Sequence, residues 1–296
     1  MYDIAALYSA NSTEEAIALR LAHPEADIIA GGSDVLVQVR EGKRAGKELI
    51  SIYTIDALRG VTVDAQKNLR IGSLTSFTDI THHPLIRKHC PVLGEAVDQV
   101  GSAQIRAIGT IGGNTCNGVT SADSASTLHA YDAIVELTGK SGVRRIPIAD
   151  FYLGPGKVDI RIEEGEIQTA ILIPRDSYLR THGHYIKYGM RNAMEIATLG
   201  CSVNVRLSAD KKKIDRCRIA YGVAGPVPMR TPSAEALVNG KTPTKKRIRA
   251  FSEAVLTDIR PRDSWRASRA LREHLAVEMA SRALIESIKK AGGHVA

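Results

Sequence analysis

Several features that define common classes of protein are missing from this chain of 296 residues. The four cysteines are far apart and form no C-x-x-C pair, which excludes the ligand spacing of zinc and iron–sulfur sites; they are Cys90, Cys116, Cys201 and Cys217. Two short histidine groups, at positions 82–83 and 182–184, lack a third ligand at a sensible spacing. We therefore expect no metal bound to this chain.

Long apolar runs and targeting signals are missing as well. No run reaches the ~18 residues needed to span a membrane, and no signal peptide or lipidation motif opens the chain. Because the cysteines show no disulfide pattern, we expect a cytoplasmic protein with reduced thiols and no membrane contact.

Aromatic residues make up only 4% of the chain, with three Phe and one Trp, whereas 40 basic against 32 acidic residues give a formal charge of +8. Part of the excess lies in two basic runs, at positions 211–213 and 245–249. Proteins that bind single-stranded nucleic acid stack bases on aromatic side chains, and no nucleic-acid motif accompanies the charge. We expect no nucleic-acid partner and interpret the runs as solvated loop tips or helix faces.

The pattern of apolar residues predicts a mixed first part of the chain. It contains a helix from Thr13 to Leu21, a hairpin around Leu69 to Gly72 and a helix from Pro84 to Val100. The predicted strands are Asp27 to Ala30, Leu49 to Ile52, Ala133 to Leu137 and Ile167 to Ile173. Because this order is not a regular βαβ series, it favours an α+β fold over a Rossmann fold.

From about residue 178 the pattern changes to strands followed by helices. Three antiparallel strands are predicted at His184 to Tyr188, Thr198 to Leu207 and Ile214 to Val223, and the basic run 211–213 lies in a turn. Helices follow at Ala234 to Val238, Lys246 to Leu256 and Ser264 to Lys290. We therefore predict two domains, 1–177 and 178–296, the second a smaller α+β domain with a three-stranded antiparallel sheet.

Two glycine-rich loops carry the strongest functional signal. Ala30-Gly31-Gly32-Ser33-Asp34 follows an apolar strand, and Thr110-Ile111-Gly112-Gly113-Asn114 lies about eighty residues later. Glycine lets backbone N–H groups approach a pyrophosphate without obstruction by a Cβ atom. The first loop alone is also typical of a plain turn. The pair, with Asp123 nine residues past Asn114, favours a dinucleotide held between two subdomains, and the absence of G-x-G-x-x-G excludes the Rossmann solution.

The two motifs AGGSD and TIGGN resemble those of the flavoprotein subunits of molybdenum hydroxylases, which include xanthine dehydrogenases, aldehyde oxidases and aerobic carbon monoxide dehydrogenases. The resemblance runs along the whole chain and is strongest to bacterial xanthine dehydrogenase. It extends to Gly154-Pro155-Gly156-Lys157, Ala224-Gly225-Pro226 and Pro261-Arg262-Asp263-Ser264-Trp265-Arg266. It implies an FAD-binding domain of the vanillyl-alcohol-oxidase (PCMH) type, followed by a C-terminal domain like that of carbon monoxide dehydrogenase flavoproteins.

The resemblance also implies roles for individual residues. Backbone donors to the FAD pyrophosphate come from the first loop (Ala30, Gly31, Gly32, Ser33, Asp34 and Val35) and from the second (Thr110, Gly112, Gly113 and Asn114). Asp123 corresponds to an aspartate near the ribityl-adenosine part of FAD. Lys187 and Thr169 correspond to positions beside the isoalloxazine ring. No side chain is implied as a catalytic acid or base, because flavin N5 carries the chemistry.

Lys187 has a physical rationale of its own, since a cation near N1 of the ring stabilises reduced, anionic flavin. The alternative is a strand lysine that points into solvent. The segment from Tyr188 to Ala197 corresponds to one that borders the ring and influences nicotinamide access. There Arg191 either holds the segment or is a plain surface charge, and Met194 stands where some relatives have an acidic residue.

Val100 stands where some relatives have an aromatic residue, so an aromatic contact to the ring would come from Tyr152, Tyr185 or Tyr188. The four arginines at positions 262, 266, 269 and 272 either face a partner subunit or form a solvated helix face.

The resemblance implies a heterotrimer, or its dimer, with a molybdopterin-binding large subunit and a small subunit that holds two [2Fe–2S] clusters. Electrons would pass from the clusters through FAD on this chain to NAD⁺, most simply during the oxidation of xanthine or hypoxanthine. Alternatives are a flavin subunit for carbon monoxide, nicotinate or aldehyde oxidation, a self-sufficient flavin oxidase or reductase, and a non-catalytic nucleotide-binding assembly protein.

Overall fold

The computed structural model describes residues 2–296 and opens with a small parallel sheet. Strands β1 (Ile4–Ser9), β2 (Asp27–Ile29) and β3 (Lys47–Ser51) lie in the order β1-β3-β2. Helix α1 (Thr13–Ala22) joins β1 to β2, and the Ser12 hydroxyl caps it by accepting from the Glu15 N–H at 3.1 Å. The predicted first helix is thus confirmed. Helix α2 (Val35–Arg40) follows the first glycine loop.

A second, antiparallel sheet of five strands forms the middle of the molecule, with the order β4-β5-β10-β6-β7. Strands β8 and β9 form a separate pair. The predicted hairpin at Leu69 and the two predicted strands of this region are confirmed. The strands are β4 (Val61–Val63), β5 (Leu69–Gly72), β6 (Ile134–Gly139), β7 (Gly142–Pro147), β8 (Tyr152–Gly154), β9 (Lys157–Val158) and β10 (Ile167–Ile173).

Eight short helices accompany this sheet. They are α3 (Phe77–His82), α4 (Pro84–His89), α5 (Pro91–Val97), α6 (Ala103–Ile108), α7 (Ile111–Cys116), α8 (Asp123–Ala130), α9 (Ile148–Phe151) and α10 (Arg175–Tyr178). The prediction of one helix from Pro84 to Val100 is wrong. Pro91 has no N–H, and its ring would clash with the preceding turn of a continuous helix. Helix α4 therefore ends before Cys90, and Pro91 begins a new helix.

The C-terminal part is an antiparallel sheet covered by helices. Its strands, in the order of the chain, are β11 (His182–Tyr188), β12 (Leu199–Leu207), β13 (Ile214–Gly222) and β14 (Met229–Arg230). The helices are α11 (Pro232–Val238), α12 (Lys245–Asp258) and α13 (Arg269–Lys290). The three predicted strands and three predicted helices are confirmed, with a short fourth strand in addition. Helix α13 begins at Arg269 rather than Ser264, because Ser268 caps it.

Strand β11 connects the middle and C-terminal parts of the molecule. Its Tyr185 belongs to the hydrophobic cluster around the second sheet. Its neighbour Ile186 packs against the cluster of the C-terminal sheet and helices. The alternation of side chains along a strand explains how one element serves both clusters. A third, smaller cluster lies around the parallel sheet. The fold is a mixture of helices and sheets, and the division at 177/178 stays a prediction.

Candidate functional site

A cleft of about 700 Å³ is lined by both glycine-rich loops. The first loop contributes Ala30 through Val35, and the second contributes Thr110, Gly112, Gly113 and Asn114. All ten loop positions predicted to bind the cofactor therefore line one cleft. Its volume is in the range of small-molecule and cofactor sites.

The close approach of backbone segments around the cleft requires glycine at two positions. A Cβ atom on Gly31 would lie 1.9 Å from the carbonyl oxygen of Ile108, at the end of α6 just before the second loop. A Cβ atom on Gly112 would lie 2.5 Å from Cβ of Ser73. Since real Cβ atoms are not found at such distances, any side chain at Gly31 would force the segments apart. The first motif is therefore packed directly against the segment that leads into the second.

The first loop presents backbone donors to the cleft. Within residues 2–296, none of the N–H groups of residues 31–35 donates to a protein acceptor. Gly32 has a φ of +71°, which turns the chain so that successive N–H groups form a concave surface. In the second loop the Thr110 hydroxyl accepts from the Gly113 N–H at 3.1 Å and fixes the start of α7. The free N–H groups of the first loop fit the pyrophosphate of a dinucleotide. In the second loop the N–H groups of Gly112 and Asn114 also donate within the protein, to the carbonyls of Ser73 and Thr110.

Asp123 and Lys187 contact each other and are not among the residues that line the cleft. Nζ of Lys187 is 2.7 Å from Oδ2 of Asp123 and also donates to the carbonyl of Gln99 at 2.9 Å. The hydroxyl of Tyr185 donates to Oδ1 of Asp123 at 2.7 Å. Asn114 connects this group to the second loop, because its Oδ1 accepts from Ser124 at 2.6 Å. Lys187 is therefore engaged with a buried carboxylate and does not point into solvent.

Burial dominates the electrostatics of this group. It raises the pKa of Asp123, although the Lys187 ammonium and the Tyr185 hydroxyl oppose the shift. Burial and the neighbouring Asp123 also raise the pKa of Tyr185 well above its usual value. Tyr185 therefore stays a neutral hydrogen-bond donor at physiological pH.

Thr169 is not among the lining residues. Its hydroxyl lies 3.0 Å from that of Thr138 on the neighbouring strand. A β-bulge explains this placement, because Gln168 pairs with Leu137 and Ala170 with Glu136, which leaves Thr169 as the extra residue. The bulge, which the sequence does not reveal, places Gln168 in the lining instead.

The segment that follows Lys187 has no regular structure and is held by internal contacts. The Arg191 guanidinium donates to the Met194 carbonyl at 2.7 Å and lies 3.1 Å from the Glu195 carboxylate. The Met194 side chain is largely exposed. Arg191 thus makes bonds within its own segment.

Of the three tyrosines considered as ring contacts, Tyr152 and Tyr185 are buried and Tyr188 is partly exposed, and none lines the cleft. Among the described lining residues the aromatic one is Phe77, and Val100 also lines the cleft. Phe77 was not predicted, because nothing in its local sequence distinguishes it from a core residue.

The cleft is also lined by polar residues that the sequence analysis missed, among them Arg20, Ser73, Cys116 and Gln168. Nε of Arg20, Oγ of Ser73 and Nε2 of Gln168 are buried without a protein partner. Gln168 could have been recognised from the sequence as a candidate site residue, because it is a polar residue near the start of the apolar strand β10. Burial of three unpaired donors at one cleft indicates a ligand with acceptor atoms.

Within residues 2–296 no group of three or more His, Cys, Asp or Glu residues is arranged to hold a metal ion. In the same part of the chain, none of the helices combines the length and the apolar character needed to cross a membrane.

Comparisons with known proteins agree with this geometry. The profile of the FAD binding domain in molybdopterin dehydrogenase matches residues 2–176, and that of the CO dehydrogenase flavoprotein C-terminal domain matches residues 184–287. The chain is 39% identical to the xanthine dehydrogenase FAD-binding subunit of Escherichia coli O157:H7 over 293 residues, which cover 99% of each chain. It is 31% identical to the nicotinate dehydrogenase FAD-subunit of Eubacterium barkeri over 75% of each chain.

A solved structure of carbon monoxide dehydrogenase from Hydrogenophaga pseudoflava contains a chain that superposes with a TM-score of 0.91. The sequence identity is 28%, and 98% of this chain and 99% of that chain are covered. The similarity in sequence and in fold extends over both parts of the molecule. The chain belongs to the family of FAD-binding subunits of molybdenum hydroxylases, which includes those of xanthine and carbon monoxide dehydrogenases.

Proposed function

We propose that this chain receives electrons from the [2Fe–2S] clusters of a partner subunit and delivers them, through FAD in the cleft, to NAD⁺. The observation that carries the proposal is the cleft lined by both glycine loops, where Gly31 abuts Ile108 just before the second loop and the N–H groups of residues 31–35 have no protein acceptor. The chain's own residues bind and orient the cofactor in this proposal.

The loop residues Ala30 to Val35 and Thr110 to Asn114 would hold the pyrophosphate. Asp123 and Lys187 would set the electrostatics next to the cofactor, with Thr169 contributing only through the strand that carries Gln168. When bound, FAD supplies the conversion between one-electron and two-electron transfer, so no side-chain acid or base is required.

We propose a molybdopterin-binding large subunit and a [2Fe–2S] small subunit as partners, in a heterotrimer or its dimer. Support comes from the relatives, which are called FAD subunits or medium chains. All four cysteines are free thiols, and this is consistent with the reducing environment of the cytoplasm.

For the complex as a whole we propose the oxidation of xanthine or hypoxanthine. This rests on the 39% identity to the E. coli xanthine dehydrogenase subunit over nearly the full length. Nicotinate is the second candidate, because the subunit of nicotinate dehydrogenase is 31% identical. In this proposal the substrate binds to the large subunit, outside the cleft of this chain.

The test is co-expression of the chain with its two partners, followed by rapid-mixing absorbance measurements. We expect the purified complex to contain FAD, to be bleached by xanthine, and to recover its flavin absorbance on addition of NAD⁺. If nicotinate bleaches the complex and xanthine does not, the proposed substrate is nicotinate. If the flavin absorbance recovers with a non-nicotinamide acceptor and not with NAD⁺, the proposed acceptor is wrong. Purified chain that shows no flavin absorbance even after addition of FAD would contradict the flavin role altogether and favour an assembly protein.

A further inference from the structure

We propose that the side-chain amide of Gln168 donates a hydrogen bond to an acceptor atom of the bound flavin nucleotide, and that Thr115 and Cys116 are positioning residues that hold the amide in the required orientation. The inference rests on the proposed FAD site and adds to it a donor outside the two glycine loops.

The two ends of the Gln168 amide have different surroundings. Oε1 accepts from Oγ1 of Thr115 at 2.8 Å and from Sγ of Cys116 at 2.9 Å. Nε2 is buried and has no partner in the protein, although the residue is only 4% exposed and lines the cleft. Burial of an amide N–H without an acceptor is unfavourable. A ligand that brings an acceptor into the cleft would remove that cost.

The neighbouring thiol determines which end of the amide faces the cleft. Burial raises the pKa of Cys116 to about 12, so the thiol is protonated at neutral pH and can donate. The sulfur of a protonated thiol is a weak acceptor. The amide oxygen therefore faces Cys116 and Thr115, and the NH₂ group is left for the cleft.

The position of the orienting residues ties Gln168 to the cofactor site. Thr115 and Cys116 belong to α7, which begins in the second glycine loop. Two other unpaired donors line the same cleft, Oγ of Ser73 and Nε of Arg20, and the charge of Arg20 lies close enough to Cys116 to affect its thiol. The N–H groups of Gln168 and Arg20 and the hydroxyl of Ser73 can all donate, which matches phosphate oxygens or the carbonyl groups of the flavin ring.

Two variants distinguish a hydrogen bond from Gln168 to the cofactor from a purely structural role of this side chain. Gln168→Met keeps the length of the side chain and removes both polar atoms. Gln168→Glu keeps an oxygen for Thr115 and Cys116 but replaces the NH₂ donor with an acceptor. Gln66→Met, in an exposed turn, is the matched control. For the full chain freed of flavin, FAD affinity is measured by titration of flavin fluorescence, and stability by thermal unfolding without FAD.

We expect Gln168→Met to weaken FAD binding roughly two- to tenfold, the effect of one neutral hydrogen bond, and Gln168→Glu to weaken it further, while Gln66→Met leaves it unchanged. A loss accompanied by a shifted visible band of the bound flavin assigns the acceptor to a ring carbonyl. A loss with an unshifted band assigns it to phosphate.

Unchanged FAD affinity in Gln168→Met would show that the amide is only structural, even if the variant unfolds at a lower temperature. Equal or tighter binding by Gln168→Glu would show that the ligand presents a donor, and would overturn the inference. In both cases wild-type chain still binds FAD, whereas failure of the proposed function appears as a wild-type chain that does not.

Discussion

The ammonium of Lys187 lies 2.7 Å from the carboxylate of Asp123, and less than a tenth of either side chain is exposed. The two residues come from different parts of the molecule, strand β11 and the first turn of α8. Because they form a pair, the positive charge beside the cofactor site is largely balanced by a negative one. The redox environment of the flavin therefore depends on the pair rather than on the lysine alone.

Replacement of Lys187 by Met is expected to lower the flavin reduction potential, because the cation that stabilises reduced flavin is lost. It should also lower the free energy of unfolding by about 3–5 kcal/mol, since Asp123 is left buried without its counter-charge. Spectroelectrochemical titration and chemical denaturation measure the two effects.

The double variant Lys187→Met/Asp123→Asn serves as the control. It removes both charges, so most of the lost stability should return, and the potential should also return toward that of the wild type because the pair carries little net charge. If Lys187→Met leaves the potential unchanged, Lys187 has no role at the ring and is a structural partner of Asp123.

Gly31→Ala is expected to weaken FAD binding at least tenfold. The new methyl group would lie 1.9 Å from the Ile108 carbonyl oxygen, so the first glycine loop must move away from the segment that leads into the second. A forced shift of this kind costs roughly 1–3 kcal/mol of stability. Gly154→Ala is the control, because a Cβ atom there meets no atom within 4 Å. Titration with FAD that gave the same affinity for both variants would contradict the proposed role of the loop contact.

His129 predicts a pH dependence of stability. Its ring is buried, with Nδ1 2.7 Å from the Ala125 carbonyl oxygen, and burial lowers its pKa from 6.5 to about 4. Between these values the unfolded chain binds a proton that the folded chain does not. The free energy of unfolding should therefore fall as pH drops from 6.5 to 4, by roughly 3 kcal/mol from this residue.

Denaturant titrations at several pH values measure this effect, and His129→Phe should flatten the decline. The exposed His274 provides the comparison, since His274→Gln should keep the wild-type profile. An equally steep decline in His129→Phe would assign the acid sensitivity to other groups.

Arg272 is buried on α13 and holds the loop that precedes this helix. Its guanidinium donates to the carbonyls of Thr198 and Ala267, each at 3.2 Å, to the hydroxyl of Ser264 at 2.7 Å, and to the carbonyl of Arg262. Arg272→Leu would leave these acceptors unsatisfied, at about 1–3 kcal/mol for each one that stays buried.

We expect Arg272→Leu to unfold at lower denaturant concentration and to be cut faster by trypsin after Arg262 or Arg266. Arg282→Leu on the same helix removes a guanidinium that is mostly exposed and should change neither measurement. Unchanged trypsin sensitivity of Arg272→Leu would mean that the loop is held by other contacts.

Much of the fold was predictable from local signals. The cap at Ser12, the alternation in the C-terminal strands and the glycine loops each act over a few residues, and the structure has them where they were expected. Arg272 shows that the location of a charged residue cannot be predicted from its charge alone. It was grouped with three other arginines as a partner-facing or solvated set, yet it shares a helix face with Ala276, Met279 and Ala283, all of them buried.

The details of the site depend on contacts between distant segments. Sequence spacing gave no sign of the bulge that turns Thr169 away from the cleft, because the bulge is a mismatch between β10 and its partner β6. The pairing of Asp123 with Lys187 was likewise hidden, since 64 residues separate them. Such relationships follow from how the sheets pack, which no single stretch of sequence encodes.

Strand β11, with Tyr185 in one hydrophobic cluster and Ile186 against the next, has a mechanical consequence. If the C-terminal sheet tilted away from α8, it would pull a buried ammonium and a buried phenol from the same carboxylate at once. The contacts of Asp123 with Lys187 and Tyr185 therefore oppose such a tilt.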